Sequence, residues 1–370
     1  MFRLVKRCLS TVLVQDYPNV RMITLNREKA LNAVNEEMVV ELLRAMKCED
    51  HRDTIIVKGA GGKAFCAGGD VVSIVKDEPK GTRQSFFYKE YQMNYYTMTT
   101  RKTQVSLWEG IVMGGGVGLS VHGKFRVATE NALFAMPETS IGLFPDVGGS
   151  YFLPRLPRKS FGLYLALVGD RVKGADLVHA GIATHFVPSD LMWRLEGDLC
   201  QLRSNSSLCN PTPMDIICAN QPSTLPPFTF EPHLQLIDKH FDPAKTVEEI
   251  VDSLKGDDHP FAAKALKAMS KCSPTSLKVT HELFNRGAKI TDQKKIFAME
   301  YVCTQRAMDH GDFAAGVTAL LIDKTKAPVW NPPTLEGVTR EMVESFFCAP
   351  GAGVPIWSPD VAFEKAPRTR

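Results

Sequence analysis

The stretch that decides the fold is IVMGGGVGLSVHGKFRVATENALFAMPETSIGLFPDVGGSYFLPRL, residues 111–156. The apolar segment at its start, which we predict as a strand over residues 105–112, runs into three consecutive glycines at 114–116. A short helix and two short strands, at residues 125–128 and 133–136, are predicted to follow. The order strand, strand, helix recurs along the chain, which favours an α/β fold built from repeated ββα units.

The same alternation extends outward from that stretch. Residues 20–26 and 54–57 have the pattern of strands, and Asn35 is a good cap for a helix whose apolar side chains recur at helical spacing. Beyond residue 150 the pattern is mainly helical, except for residues 204–245, which are rich in proline, serine and asparagine and are predicted to be an irregular surface segment. The other predicted helices cover residues 83–99, 246–254, 261–269, 274–286 and 312–322.

Composition excludes several classes of protein. The chain has 370 residues, of which 44% are hydrophobic and 23% charged, as in ordinary globular proteins. Its net charge of +3 is not gathered into a basic stripe with aromatic residues, and no apolar run could span a bilayer, so neither nucleic acid nor membrane is an expected partner. The nine cysteines show no CxxC pair and no metal-ligand spacing, which indicates reduced intracellular thiols and no metal site.

Both ends of the chain differ from its body. Residues 1–11 combine basic and apolar residues without an acid, which is typical of a mitochondrial presequence; a ragged start to the first strand is the alternative. Residues 12–203 are predicted to form the ββα core, and residues 204–347 a mainly helical C-terminal region. The tail has many prolines and glycines, and its last part, residues 348–370, is predicted to be disordered.

Two glycine motifs are candidates for an oxyanion hole. Ala67-Gly68-Gly69-Asp70 lies between a predicted strand and a predicted helix, and the glycines at 114–116 end an apolar strand. Glycine lets the backbone come close to a ligand, and two N–H groups that converge on one oxygen stabilise negative charge there. A tight turn before a helix is the alternative for the first motif. GxGxxG and Gly-Lys-Ser/Thr are absent, so neither motif is a dinucleotide fingerprint or a P-loop.

Two carboxylates follow the second glycine motif. Glu138 lies in Met-Pro-Glu at 136–138, and Asp146 lies eight residues further along, in Phe-Pro-Asp-Val-Gly-Gly at 144–149. Apolar surroundings raise the pKa of an acid and suit it to act as nucleophile, base or acid. Without the glycine motifs upstream, a helix cap at Glu138 and a turn at Asp146 would be the better explanation.

Taken together, four stretches resemble the crotonase superfamily over most of the chain: LNREKALNAV (25–34), GGKAFCAGGDV (61–71), residues 111–156 and FAAGVTALLIDK (313–324). The long glycine string and FPDVGG are similar to the hydrolase branch in particular. The resemblance implies a crotonase-like spiral of ββα units and a helical C-terminal region that often mediates homo-oligomers.

The resemblance also implies roles for individual residues. The backbone amides of Gly69 and Gly115 would form the oxyanion hole around the substrate oxygen. Glu138 would be the central carboxylate, and Asp146 would lie opposite it and help to orient substrate or proton transfer. Glu90 matches an acid that the hydrolases place near the hydroxyl end of the substrate.

The resemblance also concerns the residues near the CoA part of the substrate and the type of reaction. Lys29, Ala67 and Lys324 would lie near CoA, although a solvated surface role is as good an explanation for both lysines. Enoyl-CoA hydratases usually carry a second catalytic glutamate at the position of Gly118, so a hydratase with two glutamates is not expected.

The implied reaction is hydrolysis of the 3-hydroxyisobutyryl-CoA thioester in the mitochondrial matrix, a step of valine breakdown. A small-molecule acyl-CoA is the expected partner, and no cofactor is expected beyond the CoA of the substrate. Two alternatives remain open at this point. One is another crotonase-type reaction, the hydration or isomerisation of an enoyl-CoA. The other is a non-catalytic scaffold that binds CoA esters or RNA.

Overall fold

The computed structural model describes residues 10–78, 81–203, 210–348 and 356–360. The strands of these ranges are short and follow in chain order: β1 Val12–Asp16, β2 Val20–Leu25, β3 Thr54–Gly59, β4 Ala64–Cys66, β5 Thr103–Trp108, β6 Ile111–Met113, β7 Phe125–Ala128, β8 Leu133–Ala135, β9 Val172–Lys173 and β10 His185–Phe186.

Helices connect the strands and then make up the C-terminal part of the chain. The first eight are α1 Glu36–Met46, α2 Val71–Lys76, α3 Thr82–Thr99, α4 Gly115–Ser120, α5 Gly149–Phe152, α6 Lys159–Val168, α7 Asp176–His179 and α8 Met192–Cys200. Those that follow are α9 Pro213–Ala219, α10 Leu234–His240, α11 Val247–Lys255, α12 Pro260–Met269, α13 Pro274–Gly287, α14 Gln293–His310, α15 Asp312–Val317 and α16 Arg340–Ser345. No helix in the described ranges is long and apolar enough to cross a membrane.

The strands form two sheets, and the strands from β3 to β8 alternate between them. The larger sheet has the order β1-β2-β3-β5-β7-β10, and the smaller sheet has the order β4-β6-β8-β9. From β2 to β10 the larger sheet is parallel, whereas β1 pairs antiparallel with β2. The pairs β3/β4, β5/β6 and β7/β8 each place one strand in each sheet before the chain turns into helical structure. The predicted spiral of ββα units is therefore confirmed.

Helix α1 illustrates how local sequence fixes an element of this core. The Asn35 side chain accepts a 3.0 Å hydrogen bond from the Met38 N–H and so begins the helix where the cap was predicted. One stripe of the helix is buried in the main apolar core and holds it against its neighbours. The residues of this stripe are Met38, Val39, Leu42, Leu43 and Met46.

The strand predicted over residues 105–112 is in fact two strands. β5 ends at Trp108 and β6 begins at Ile111. Between them Gly110 has a φ of +74°, and a side chain there would collide with the Lys63 carbonyl. The chain thus turns sharply at Gly110, which sends it from the larger sheet into the smaller one.

The prediction of an irregular segment over residues 204–245 is wrong for much of the described part of that range, which contains α9 and α10. Thr212 and Asp215 cap the start of α9 reciprocally, and Pro213 occupies its first turn. Proline therefore starts a helix here instead of interrupting one. The isoleucines of α9 join an apolar cluster with strands of the larger sheet. Because residues 204–209 lie outside the described residues, the boundary between 203 and 204 stays a prediction.

Part of the C-terminal tail packs against the body. Trp357 is 3% exposed, and its Nε1 donates a 3.1 Å hydrogen bond to the Tyr88 carbonyl in α3. The Tyr88 hydroxyl lies 3.3 Å from the Ser358 carbonyl oxygen, to which it donates. The prediction of disorder over residues 348–370 is therefore wrong for residues 356–360, because an aromatic side chain anchors them. The rest of that segment beyond Cys348 lies outside the described residues.

The predicted presequence is only partly covered. Residues 1–9 lie outside the described residues. The carbonyls of Ser10 and Thr11 accept hydrogen bonds from the Asn26 side chain and backbone, at 3.0 and 2.8 Å. The chain is thus attached to the body from residue 10, and β1, which was not predicted, follows at Val12.

Candidate active site

Two glycine turns bring a pair of backbone amides together. Gly68 and Gly114 have φ angles of +116° and +46°, which residues with side chains rarely adopt. A Cβ atom on Gly115, the residue after the second turn, would lie 3.1 Å from the Gly69 nitrogen. Within the described ranges neither the Gly69 nor the Gly115 N–H donates to another group of the protein. Two such donors suit one shared acceptor oxygen.

Glu138 lies beside this pair of amides. It begins the 3-10 turn Glu138–Ile141 and is 5% exposed. Its Oε1 would lie 2.8 Å from a Cβ atom on Gly114, and its buried Oε2 has no hydrogen-bond partner in the described chain. Burial, and then the charge of Asp146, raise the pKa of Glu138 well above its ordinary value. Burial therefore favours the protonated form of this acid.

Glu90 approaches the same place from helix α3. The residue is 1% exposed, and its Oε1 lies against Gly115 without a hydrogen-bond partner among the described residues. Burial, and then the charges of Asp146 and Glu138, raise the pKa of Glu90 well above its ordinary value. Three carboxyl groups from three separate elements thus share one buried space, where they cannot all be ionised at once.

Asp146 is the member of this group that most readily carries a charge. It is 4% exposed, and its Oδ2 accepts a 2.7 Å hydrogen bond from the Tyr91 hydroxyl. Burial raises the pKa of Asp146 to about 6, although the hydrogen bond from Tyr91 works in the opposite direction. The Tyr91 hydroxyl is also hydrogen-bonded to the Thr304 hydroxyl, at 2.7 Å.

No side chain can be accommodated at position 118. A Cβ atom on Gly118 would collide with the Cβ of Val147 and would lie 2.9 Å from the Asn94 Nδ2. Val147 itself has a φ of +52°, an uncommon conformation for a β-branched residue. The space in which a second catalytic glutamate would begin is therefore filled by Val147.

The residues predicted to contact CoA lie toward the surface. Ala67 is partly exposed and directly precedes the Gly68 turn, and both Lys29 and Lys324 are exposed. Their contact with CoA stays a prediction. The structure brings together the predicted residues Gly69, Gly115, Glu90, Glu138 and Asp146.

The sequence analysis missed the side chains that hold the loop around Asp146. Tyr91 donates to the Asp146 carboxyl, Thr304 binds the Tyr91 hydroxyl, and Glu300 binds the loop backbone. The His122 Nε2 donates a 2.9 Å hydrogen bond to the Val147 carbonyl, and burial lowers the pKa of this histidine to about 4, so its ring is neutral. Tyr91 directly follows Glu90, a predicted site residue, and this adjacency is the sequence signal that could have revealed Tyr91.

A ββα spiral with two free amides beside buried carboxyls has the geometry of an enzyme that stabilises a developing oxyanion. A family model described as enoyl-CoA hydratase/isomerase matches residues 20–347. The chain belongs to this family, and the predicted membership in the crotonase superfamily is confirmed.

Within the family, the chain is similar to proteins named "3-hydroxyisobutyryl-CoA hydrolase, mitochondrial". The protein of Danio rerio is 47% identical over 346 residues, which cover 91% of this chain and 89% of that protein. The protein of Homo sapiens is 46% identical over 347 residues, which cover 92% of this chain and 89% of that protein.

Solved structures share the whole architecture. A carnitinyl-CoA dehydratase from Mycobacterium thermoresistibile has a TM-score of 0.85 and 33% identity, and the match covers 95% of this chain and 100% of that chain. An enoyl-CoA hydratase from Rhodobacter sphaeroides 2.4.1 has a TM-score of 0.81 and 34% identity, with 92% and 98% covered. The helical C-terminal region is thus part of the shared fold.

Proposed function

We propose that this chain hydrolyses the thioester of 3-hydroxyisobutyryl-CoA to 3-hydroxyisobutyrate and free CoA. The observation that carries the proposal is the pair of free amides at Gly69 and Gly115 next to Glu138, with Val147 filling the space above Gly118. The names of relatives that are 46–47% identical over about 90% of the chain support the substrate.

The two amides would polarise the thioester carbonyl. With its oxygen between the Gly69 and Gly115 nitrogens, the carbonyl would receive two hydrogen bonds that strengthen as negative charge develops on the oxygen. Loss of one donor of this kind typically costs about 2.7–4 kcal/mol of transition-state stabilisation, so two fixed donors supply a large share of the rate enhancement.

Glu138 would supply the attack on the carbonyl carbon. In one route its carboxylate attacks directly, expels the CoA thiolate and forms an anhydride that water then opens. In the other route it takes a proton from a water molecule as that water attacks. Both routes require ionised Glu138, and in both the leaving thiolate takes up a proton.

Isotopically labelled water tests for the anhydride route in a single turnover, because label in the side chain of Glu138 arises by that route alone. The general-base route places the label in the released acid. If the carboxylate attacks and water then opens the anhydride at the protein carbonyl, the label appears in the side chain of Glu138 instead, where mass spectrometry of peptides detects it.

Asp146 and Glu90 would recognise the hydroxyl end of the substrate. A hydroxyl group both donates and accepts hydrogen bonds. An ionised Asp146 can accept one bond and a protonated Glu90 can donate the other, a division that matches the lower pKa of Asp146. Lys29, Ala67 and Lys324 are proposed to contact the CoA part of the substrate.

The relatives are mitochondrial by name, and the same compartment is assigned to this chain. We place the reaction in the matrix. The proposed reaction needs no cofactor beyond the CoA of the substrate. We also propose that the chain forms homo-oligomers through its helical C-terminal region.

The test is thiol release by the purified protein and its Glu138→Gln variant, side by side. The substrates are 3-hydroxyisobutyryl-CoA, 3-hydroxypropionyl-CoA and crotonyl-CoA. We expect CoA release from the hydroxyacyl esters, with a loss of about 10²–10⁴-fold in the variant, because a general base or nucleophile is removed. The variant should still bind the esters.

Two other outcomes would reject hydrolysis. Loss of the enoyl absorbance of crotonyl-CoA without thiol release would indicate a hydratase, the activity named for one of the solved structures with this fold. Tight binding of CoA esters with no turnover would indicate a scaffold without catalysis.

A further inference from the structure

We propose that Glu300 and Thr304, two buried residues on one face of α14, are positioning residues that fix the place of the Asp146 carboxyl. The inference rests on the proposed hydrolysis and deepens it. It assigns a role in that reaction to side chains that do not touch the substrate.

Glu300 binds the backbone of two residues, Gly148 and Ser150, that follow Asp146 in the same loop. The residue is 0% exposed, and its Oε2 accepts a 2.7 Å hydrogen bond from the Gly148 N–H. Its Oε1 accepts hydrogen bonds from both the N–H and the O–H of Ser150, at 3.0 and 2.6 Å. Burial raises the pKa of Glu300 to about 8, although the hydrogen bonds from Ser150 and Gly148 work in the opposite direction. One buried carboxyl group thus holds the backbone at Gly148 and at Ser150.

The loop after Asp146 needs these hydrogen bonds because its backbone conformation is uncommon. Val147 and Gly148 have consecutive positive φ angles of +52° and +87°. A non-glycine residue keeps such an angle only where its surroundings determine it fully. Glu300 holds the loop on one side, and His122 binds the Val147 carbonyl on another. The direction of the Asp146 side chain follows from that backbone.

Thr304 acts on the same carboxyl through a second route. It lies one helical turn after Glu300, and its hydroxyl is 2.7 Å from that of Tyr91, which donates to the Asp146 Oδ2. The Tyr91 ring also packs against Tyr301 of α14, at 6.4 Å between ring centroids. One helix thus holds Asp146 both through its backbone and through its side chain.

The chain offers a matched control for a buried carboxylate that only fastens a loop. Asp176 is buried, its Oδ1 accepts a 2.9 Å hydrogen bond from the Thr229 N–H, and its Oδ2 accepts one from the Thr229 hydroxyl. This is the same chemistry as that of Glu300 with Ser150, on a loop that carries none of the active-site acids.

The experiment compares Glu300→Gln with Asp176→Asn. The glutamine keeps the size of Glu300 but turns an NH₂ group toward N–H donors, so the loop must shift. A displacement of about 1 Å in a group that orients the substrate can cost about 10²-fold in rate, and we expect kcat for 3-hydroxyisobutyryl-CoA to fall about 10–100-fold. KM should change by less than about threefold, because the interactions with CoA persist. Asp176→Asn should lower the Tm comparably and leave kcat unchanged.

A readout independent of turnover completes the test. The pKa of Asp146, measured by NMR titration of labelled carboxyl carbons, should rise in Thr304→Val, because this variant removes the hydroxyl group bound to Tyr91 and so weakens the hydrogen bond from Tyr91 to Asp146. In Glu300→Gln this pKa should shift as well, because the loop that carries Asp146 moves. Thr304→Val leaves the loop contacts of Glu300 intact, so it remains informative if Glu300→Gln does not fold. An unchanged Asp146 pKa in the folded variants would overturn the proposal even if the wild-type protein released no CoA, a result that would reject hydrolysis alone.

Discussion

The Val147 side chain occupies the space into which any side chain on Gly118 would have to project. The Cβ of Val147 and the Asn94 Nδ2 in α3 would both lie closer than 3.0 Å to a Cβ atom on Gly118, and the Val147 Cβ cannot move without its backbone. A hydratase that uses a glutamate at this position would need a different residue at 147 and a different loop conformation. The packing around Gly118 therefore leaves no room for a second catalytic glutamate in this chain.

This packing predicts opposite effects of alanine at two helical glycines. Gly118→Ala should reduce the free energy of unfolding by about 1–3 kcal/mol, because the added methyl group overpacks the contact with Val147. At Gly197 in α8 a Cβ atom would meet nothing within 4 Å, so Gly197→Ala should gain up to about 1 kcal/mol from helix propensity. Urea unfolding of both variants checks the pair. Equal effects would show that Val147 can move aside.

The buried Glu138 predicts that activity rises with pH. Hydrolysis requires the ionised form, and burial raises the pKa of Glu138 well above its ordinary value, so kcat/KM should still be increasing with pH well above the range in which an ordinary glutamate ionises. Asp146→Asn removes the neighbouring charge that contributes to this shift. The residual activity of that variant should therefore rise at a lower pH.

The profile of kcat/KM in a series of buffers of constant ionic strength measures this shift. A residual activity in Asp146→Asn that rises at the same or a higher pH would contradict the assigned charge coupling.

The hydrogen bond from Tyr91 predicts a further pH effect. Because this bond lowers the pKa of Asp146, Tyr91→Phe should raise that pKa above its value of about 6. The limb of the pH–rate profile that belongs to Asp146 should move to higher pH. Tyr164→Phe is the control, since the Tyr164 hydroxyl donates to Asp170 away from the active-site acids. It should cost stability and leave the pH–rate profile where it is.

Asp50 predicts how stability responds to acid. Burial raises its pKa, but the N–H groups of Arg52 and the charges of Arg21 and Lys102 outweigh burial, so the pKa lies well below the ordinary 3.8. A lowered pKa in the folded state stabilises the protein above the unfolded value and loses that contribution as pH falls. Asp50→Asn should therefore lower the free energy of unfolding by about 1–3 kcal/mol near neutral pH.

The difference between wild type and Asp50→Asn should shrink as the pH drops below about 4. Urea unfolding at a series of pH values measures it. The exposed pair of Asp252 with Lys255 provides the control, and Asp252→Asn should cost less than about 0.5 kcal/mol at any pH. A constant difference for Asp50→Asn down to acid pH would contradict the assigned ion pairs.

Features with local causes could be predicted from the sequence. Asn35 caps α1 because its side chain reaches an N–H group three residues ahead, and Ser273 before Pro274 begins α13 in the same way. The glycine turns at Gly68 and Gly114 are likewise contained within short motifs. Because each cause lies within a few residues, pattern and propensity were sufficient.

Features that depend on distant contacts could not be predicted. Glu300 lies in α14, whose buried face contains several polar residues, so apolar periodicity did not reveal even the helix. Its partners Gly148 and Ser150 are far away in the sequence. Gly110 was expected to continue a strand, and only the approach of Lys63 from another turn of the spiral explains why the chain bends there.

The contact of Trp357 with α3 connects a late segment of the chain to the active site. Trp357 is bound to the backbone of α3 at Tyr88, two residues before Glu90 on the same helix. A stop codon just before Trp357 would spare every acid and both glycine motifs, yet it would uncover the aromatic surface that steadies this helix. The effect of such a truncation on activity should therefore be judged by the loss of the contacts that Trp357 makes with α3.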